Sequence, residues 1–197
     1  MDLEQGALCV IDGAKALRKA IRDVLGVHTP IQRCVRHKER NVLEHLPERE
    51  RPQIKRRLRK AWREADYDRA LSELRALAGE LDRSHPGAAA SLREGLEETL
   101  TLTRLGIRGK LKQTLESTNP CESMIECVRR SARNVKRWQS GDMCLRWTAA
   151  GMLEAERQFR RVIGYRDLAK LATAVEREAR QTVTPSPTQE AATLVTA

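Results

Sequence analysis

Aromatic residues are scarce in this 197-residue sequence: one Phe, two Tyr and three Trp make up 3% of it. So few rings argue against a protein that binds single-stranded nucleic acid by stacking bases on aromatic side chains. The five cysteines are an odd number with scattered spacing, which indicates reduced thiols and not a disulfide framework. No apolar run is long enough for a membrane span, and the N-terminus does not resemble a signal peptide. We therefore expect a cytoplasmic protein without a membrane partner.

Positive charge is in excess, because 37 Lys and Arg outnumber 27 Asp and Glu and give a formal net charge of +10. This excess predicts attraction to a polyanion, with nucleic acid as the commonest partner and an anionic membrane as the weaker alternative. Contact with a DNA phosphate backbone, and hence association with the nucleoid, is the expectation. The chain length suits one compact domain with additions.

The first forty residues show the pattern of a strand, a helix and a second strand. "ALCVI" is a short apolar run, residues 17–25 have helical spacing up to Gly26, and "PIQRCV" is a second apolar run. This pattern predicts a βαβ unit with parallel strands in residues 1–40. Asp12 follows the first strand, where open α/β sheets bind ligands, although it could instead cap the next helix.

Helical periodicity dominates the rest of the chain. Residues 41–105 form a helical pattern with one break, at "SHPG". We expect Trp62 to anchor this helical segment. Residues 106–181 are predicted to add helices at about 120–137, 142–159 and 168–179. The middle one places five apolar residues on one face, namely Leu145, Ala149, Met152, Ala155 and Phe159, and we expect Trp138 and Trp147 to pack between these helices. Residues 182–197, rich in Thr, Pro and Ser, are predicted to be disordered.

The segment "ESTNPCESMIE" contains Glu122, for which two interpretations stay open. In the first, Asn119 is the N-cap, Pro120 opens the helix, and the Glu122 carboxylate reaches back to the cap amide. In the second, Glu122 is a metal ligand, because it lies off the apolar stripe of its helix at the positive end of the helix dipole.

Basic residues follow Glu122 on the same predicted helix flank: Arg129, Arg133 and Lys136. A carboxylate followed by such residues can hold a metal ion and also the DNA phosphates on which the metal acts. Their alternative role is a solvated face that pairs with Glu126 at a spacing of four. Together with Asp12, Glu122 makes a pair of carboxylates, which are the ligands that Mg²⁺ (or Mn²⁺) takes in phosphodiester chemistry.

Four blocks carry a resemblance to a known family: "CVIDGAKALRKAI", "PIQRCVRHKERNVLEHLP", "ESTNPCES" and "NVKRWQSGDMCLRWTAAGMLEAERQFRRVIGYRDL". In order and spacing they resemble the C-terminal portion of Mutator-type bacterial insertion-sequence transposases, from about Leu8 to Leu171. The resemblance implies a partial RNase H-like catalytic fold, α/β but mostly helical, with short parallel strands and a large all-α insertion at 41–105. It also implies a return to the catalytic core at 106–181.

The same resemblance implies a catalytic set of two aspartates and one glutamate, in which Asp12 is the second aspartate and Glu122 the glutamate. Cys34 and His37 match the Cys-x-x-His pair of the family. Because a structural zinc site needs four ligands and no second pair follows, we interpret these two residues as shaping the site. The first aspartate of the family lies on an earlier strand, and only Asp2 precedes Asp12 here. We therefore expect an N-terminally truncated copy without strand-transfer activity of its own.

The implied reaction is Mg²⁺-dependent cleavage and strand transfer of an insertion element. The implied partners are double-stranded DNA, at the element ends and at the target, and further copies of the chain in a homo-oligomer. The alternative is a non-catalytic DNA-binding fragment or an inhibitor of the full-length transposase, which the basic charge supports equally well.

Overall fold

Two short parallel strands and a series of helices make up residues 6–181, which are the residues that the computed structural model describes. Strand β1 is Cys9–Ile11 and β2 is Ile31–Arg33, and helix α1, Lys15–Leu25, connects them. Cys9 pairs with Ile31 and Ile11 with Arg33, so the predicted parallel βαβ unit is confirmed. The predicted disordered segment at 182–197 lies outside the described residues.

The helices that follow confirm a mostly helical α/β chain. In chain order they are α2 (Val35–Glu44), α3 (Arg51–Arg63), α4 (Tyr67–Ser84), α5 (Pro86–Arg93), a 3-10 turn (Glu97–Leu100), α6 (Thr101–Arg104), α7 (Gly109–Leu115), α8 (Asn119–Ser131), α9 (Gly141–Arg157), a second 3-10 turn (Tyr165–Asp167) and α10 (Leu168–Gln181). The break at "SHPG" falls between α4 and α5, as predicted. The sequence places the start of the helical segment at residue 41, but helix α2 begins earlier, at Val35, and crosses that boundary. None of the helices in this part of the chain combines the length and the apolar character that crossing a membrane requires.

A hydrophobic core occupies the helical block, by which we mean residues 41–105. Helices α3, α4 and α5 contribute fully buried leucines to it, among them Leu58, Leu74 and Leu92, and α2 adds Val42. The buried Trp62 confirms its predicted role as an anchor, because it packs in this core while its indole Nε1 donates to Thr99 Oγ1 at 3.1 Å. The helical block is thus a packed unit with its own core.

Buried hydrogen bonds join the end of this block to strand β2. The Gln32 side chain donates to the Thr99 carbonyl at 3.0 Å and accepts from the Leu102 amide at 2.9 Å. Thr101 Oγ1 donates to the Ile31 carbonyl at 2.6 Å. Because these polar groups are buried, losing a partner would leave an unsatisfied group at a cost of about 1–3 kcal/mol. The helical block therefore has a fixed position relative to β2.

Helices α8 and α9 pack closely because α9 presents small residues to its neighbour. A Cβ atom on Gly151 would lie only 2.8 Å from the Val128 Cα atom, so glycine lets the two helices approach. Ala155 is buried one turn further along, and Cys127 is buried on α8. Residues of α6, α7 and α10 contribute to a second core that includes Leu111 and Val175.

Most of the five apolar residues that the sequence places on one face of a helix at 142–159 are exposed, and the last of them, Phe159, lies beyond the end of α9. Ala155 is buried, but Leu145 is 68% exposed and Phe159 is 62% exposed. The physical reason is that α9 meets α8 through Gly151 and Ala155, which turns the larger apolar side chains outward. Trp138 and Trp147, expected to pack between the last helices, are also partly exposed. Helix α1 likewise contains no fully buried residue: Leu17 and Val24 are exposed, whereas Ile21 and Leu25 are partly buried.

Candidate functional site

Asp12 lies directly after β1, at the carboxyl edge of the parallel pair. Its Oδ1 atom accepts a hydrogen bond from the Ala14 amide at 2.9 Å. The alternative of Asp12 as helix N-cap is wrong, because Ala14 occupies that position and the helix has no side-chain cap. Asp12 instead shapes the turn that leads into α1, and its exposed side chain is open to solvent.

Cys34 connects this edge to the segment before α8. Its amide donates to the Ile11 carbonyl at 2.7 Å, which extends the β1–β2 ladder by one bond. Its buried sulfur accepts from the Thr118 amide at 3.4 Å, and the next amide, of Val35, donates to the Glu116 carbonyl at 2.9 Å. The chain entering α8 is therefore held at the same edge of the sheet from which Asp12 projects.

Glu122 does not form the predicted capping box. The N-cap is Thr118, one residue earlier than the predicted Asn119, and the Glu122 amide donates to the Thr118 carbonyl at 3.0 Å. This earlier start moves Glu122 a full turn from the cap, where its carboxylate cannot serve the cap amide. Glu122 Oε1 instead accepts from the Thr118 hydroxyl at 2.6 Å, and the side chain remains 49% exposed. The carboxylate is thus oriented by one hydroxyl and is accessible to a ligand.

His37 completes a small polar cluster around Glu122. Its Nδ1 atom lies 3.3 Å from Thr118 Oγ1 and 3.8 Å from Glu122 Oε1. The structure therefore brings Cys34, His37 and Glu122 together through Thr118. Sequence reasoning did not single out Thr118, although its position four residues before Glu122 and next to Asn119 was a usable signal for a side chain at the helix start.

Glu116 is a second, half-buried carboxyl group next to this cluster. Burial raises its pKa, and the charges of Lys112, Arg36 and Arg63 oppose that effect in this order. Burial also lowers the pKa of Lys112, whose ammonium donates to the Trp62 carbonyl at 2.6 Å. Neighbouring charged groups from α2, α3 and α7 therefore meet beside the site.

The basic residues predicted to accompany Glu122 divide into two sets. Arg129 lines the same cavity of about 660 Å³ as Glu122, together with Arg130, which was not among the predicted residues. Helix α8 ends at Ser131, before the predicted residue 137, so Arg133 and Lys136 follow the helix and the periodicity that placed them on one flank does not apply. Both are exposed to solvent.

Two carboxylates do not complete a metal site here. Within residues 6–181, no three His, Cys, Asp or Glu side chains come together in a way that could hold a metal ion. Asp12 and Glu122 supply the oxygen atoms that Mg²⁺ prefers, from neighbouring segments at one sheet edge. At least one further ligand would be needed, so the described residues alone do not fit a two-metal centre.

Comparison with known proteins bears on this arrangement. A family model with the description "Transposase, Mutator family" matches residues 2–162. The chain belongs to the Mutator family of transposases. The match includes β1, β2, α8 and α9, and therefore every residue that the sequence assigned to the site. No solved structure is significantly similar to the chain.

Two curated relatives agree with this family membership. The transposase for insertion sequence element ISRM5 of Rhizobium meliloti (strain 1021) is 32% identical over 147 residues, which are 75% of this chain and 36% of that protein. The transposase for insertion sequence element IS6120 of Mycolicibacterium smegmatis is 30% identical over 122 residues, 62% of this chain and 37% of that protein. The chain thus matches little more than a third of the length of either relative.

Proposed function

We propose that this chain is part of the catalytic region of a transposase of the two-aspartate, one-glutamate class, acting on the ends of an insertion element. One observation carries the proposal: Asp12 and the segment that leads to Glu122 are held at the same edge of the β1–β2 pair. Cys34 joins them, because its amide bonds to the end of β1 and its sulfur accepts from the amide of Thr118. In this proposal the sheet is a portion of an RNase H-like fold and the helical block is its insertion.

Asp12 and Glu122 are the proposed ligands for Mg²⁺ (or Mn²⁺), with the remaining ligands supplied from outside the described residues. When bound, such an ion polarises phosphodiester oxygens and lowers the pKa of an attacking water. The chain's own residues keep the Glu122 carboxylate in place: the Thr118 hydroxyl donates to it, and the His37 ring lies beside both groups. In this proposal Cys34 and His37 shape the site.

The proposed DNA contacts begin at Arg129, which shares a cavity with Glu122, and continue through Arg133 and Lys136 on the exposed segment beyond α8. Guanidinium and ammonium groups bind phosphates through charge-assisted hydrogen bonds. A net charge of +10 supports a DNA substrate. We propose that the intact enzyme acts as a homo-oligomer on double-stranded DNA in the nucleoid.

A graft tests the catalytic proposal. Residues 8–162 replace the matching portion of the Rhizobium meliloti relative, and excision of an ISRM5 element is measured in cells. The graft should support excision, and D12N or E122Q should each abolish it while DNA binding is retained. E126Q, which changes an exposed carboxylate on the same helix, is the control and should remain active.

Two results would contradict the proposal: excision by D12N or E122Q at the level of the parent graft, or a loss of excision in E126Q equal to that in E122Q. If the graft folds poorly, the same substitutions are made in the relative at the positions aligned with Asp12, Glu122 and Glu126. The expectations there are identical.

The incomplete carboxylate set favours a second function for the isolated chain, that of a DNA-binding inhibitor of a complete transposase. Within the described residues the two carboxylates lack a third partner, whereas the basic surface is present. Added to a reaction with a complete family member, the purified chain should reduce excision in proportion to its concentration and should not join element ends by itself. Joining by the chain alone with Mg²⁺ would contradict the inhibitor function.

A further inference from the structure

A basic cleft lies between α1 and the end of the helical block. It consists of two adjoining cavities of about 590 and 420 Å³, both of which are lined by Arg18, Arg22 and Glu98. The smaller cavity also reaches Ile11 and Gly13, the two neighbours of Asp12 in the chain. The cleft therefore opens next to one of the two proposed metal ligands.

The charge of the cleft is predominantly positive. Seven basic side chains line the two cavities: Lys15, Arg18, Lys19, Arg22, Arg33, Arg75 and Arg93. Four acidic side chains oppose them: Asp23, Glu94, Glu97 and Glu98. Neither cavity has a Phe, Tyr or Trp among its lining residues, so the cleft offers cations and no ring for base stacking.

The floor of the cleft is the buried cation Arg33, and a second buried cation, Lys38, shares the Glu94 carboxylate with it. The guanidinium of Arg33, which is 5% exposed, donates to the Glu94 carbonyl at 3.1 Å and to the Glu94 carboxylate at 3.0 Å. Lys38 is 1% exposed and donates to the carbonyls of Ser91 at 2.6 Å and Glu94 at 2.5 Å. The Glu94 carboxylate, itself partly exposed, pairs with both cations, and the net charge of the side chains that line the cleft stays positive.

Glycine residues let Arg33 occupy this position. A Cβ atom on Gly13 would lie 2.5 Å from Arg33 Nη2, and one on Gly95 would also overlap the guanidinium. Both glycines have positive φ values, 112° and 62°, which side-chain-bearing residues rarely adopt. The turn after Asp12 and the turn after α5 thus close around one arginine, and this couples the floor of the cleft to the Asp12 turn.

The α1 wall of the cleft retains unused binding capacity. Arg18 Nε lies 2.5 Å from Glu98 Oε1 without the alignment of a hydrogen bond, and Arg22 Nη2 lies 3.7 Å from the same oxygen. Glu98 is thus shared by two arginines whose side chains are about two-fifths exposed. Each guanidinium has five donors in a planar fork suited to phosphate, and one carboxylate satisfies few of them.

We propose that this cleft binds the sugar-phosphate backbone of the DNA strand that leaves the Asp12 edge, through phosphate contacts that do not read the base sequence. The choice of DNA as the ligand rests on the proposed function. The location is independent of it and follows from the positive floor, the two shared arginines and the opening beside Asp12. This binding site is separate from the Arg129 surface on α8.

Salt-dependent DNA binding by the full chain tests the proposal. Affinity for a labelled duplex is measured by fluorescence anisotropy over a range of salt concentrations for wild type and R18Q/R22Q. Each lost phosphate contact reduces the magnitude of the negative slope of log K against log salt by about 0.9. The magnitude of the slope should therefore be about 1.8 smaller in the double variant than in wild type. A second duplex of unrelated sequence should show the same loss. R18K/R22K, which keeps both charges, should restore most of the slope.

A matched control removes two other cations. Arg49, just before α3, is exposed and pairs with Glu50. Lys60, within α3, is exposed and pairs with Glu73. R49Q/K60Q should therefore leave the slope within measurement error of wild type. K15Q/K19Q repeats the test on exposed lysines of the cleft that do not contact Glu98, in case R18Q/R22Q unfolds the chain, and it should again lower the slope.

The α8 variant R129Q/R130Q separates this inference from the proposed function. If it weakens binding while both cleft variants behave like R49Q/K60Q, the cleft proposal is overturned and the α8 contacts stand. If the cleft variants alone lower the slope, the cleft proposal stands and the α8 contacts fail. If no variant differs from the control, both fail.

Discussion

Substitution of Gly151 by alanine is the sharpest test of the packing that positions α8. Two effects oppose each other. Replacing a glycine inside a helix by alanine stabilises the helix by about 0.5–1 kcal/mol. The new Cβ, however, would lie 2.8 Å from Val128 Cα and 3.2 Å from Val128 Cβ, where carbon atoms prefer about 3.5–4.0 Å. Backbone of α8 must move, and overpacking of this kind costs about 1–3 kcal/mol.

The net expectation for G151A is a loss of about 1–2 kcal/mol in the free energy of unfolding. Gly79 provides the matched control, because it is also inside a helix but has no atom within 4 Å of its Cβ position. G79A should therefore gain about 0.5–1 kcal/mol. For a chain of this size, 1 kcal/mol corresponds to about 2–4 °C in Tm.

Thermal unfolding followed by circular dichroism measures both variants, and amide hydrogen exchange locates the effect. G151A should melt earlier than wild type, G79A later, and the faster exchange in G151A should be confined to α8 and α9. An equal rise in Tm for both variants would refute the close packing of these helices.

Three further predictions concern the core, a buried charge and the site. L74A removes a fully buried side chain from the helical block and should lower the free energy of unfolding in urea by about 2–5 kcal/mol; a loss below 1 kcal/mol would argue against that core. Burial, with the charge of Arg33, lowers the pKa of Lys38 from 10.5 to about 8. Between pH 8 and pH 10.5 the folded chain therefore binds fewer protons than the unfolded chain. The free energy of unfolding should rise with pH over that window, by about 3 kcal/mol at most. K38M should show a smaller rise in urea titrations at a series of pH values, because Lys112, whose pKa burial also lowers, still contributes; an unchanged rise would mean that Lys38 does not cause it. T118V keeps the shape of Thr118 but removes the donor to Glu122 Oε1, so it should cost about 1 kcal/mol and speed amide exchange in the first turn of α8; exchange at the wild-type rate would contradict that contact.

The local parts of the fold followed from the sequence because short-range patterns determine them. The apolar runs on either side of α1 gave the parallel pair, and helical spacing gave α3 and α4 with Trp62 in their core. The break between α4 and α5 followed from the Pro and Gly at that point.

The misjudged features depend on which surfaces meet, which periodicity does not contain. Helix α9 has apolar residues over a broad face, but it packs on α8 through the small residues Gly151 and Ala155, so Leu145 and Met152 remain exposed. The start of α8 moved by one residue because the amide of Thr118 is held by Cys34, a partner 84 positions away in the chain. That shift replaced the expected capping box with the contact between the Thr118 hydroxyl and Glu122.

For the site, the sequence identified Asp12, Glu122, Cys34 and His37, and the structure places the last three in one cluster. Their catalytic and metal-binding roles stay predictions. The basic cleft beside Asp12 could not be foreseen, because its walls come from α1 and from residues 75–98, which meet only in the folded chain.

Mn²⁺-induced broadening of amide signals in the labelled chain shows whether Asp12 and Glu122 act together on one metal ion. We expect weak binding that broadens the amides of Gly13 and Ala14 together with those of Glu122 and Ser123. Either D12N or E122Q should remove the broadening at both places. Broadening that stays at one segment after the carboxylate of the other has been removed, or that is absent from both in the wild-type chain, would contradict it.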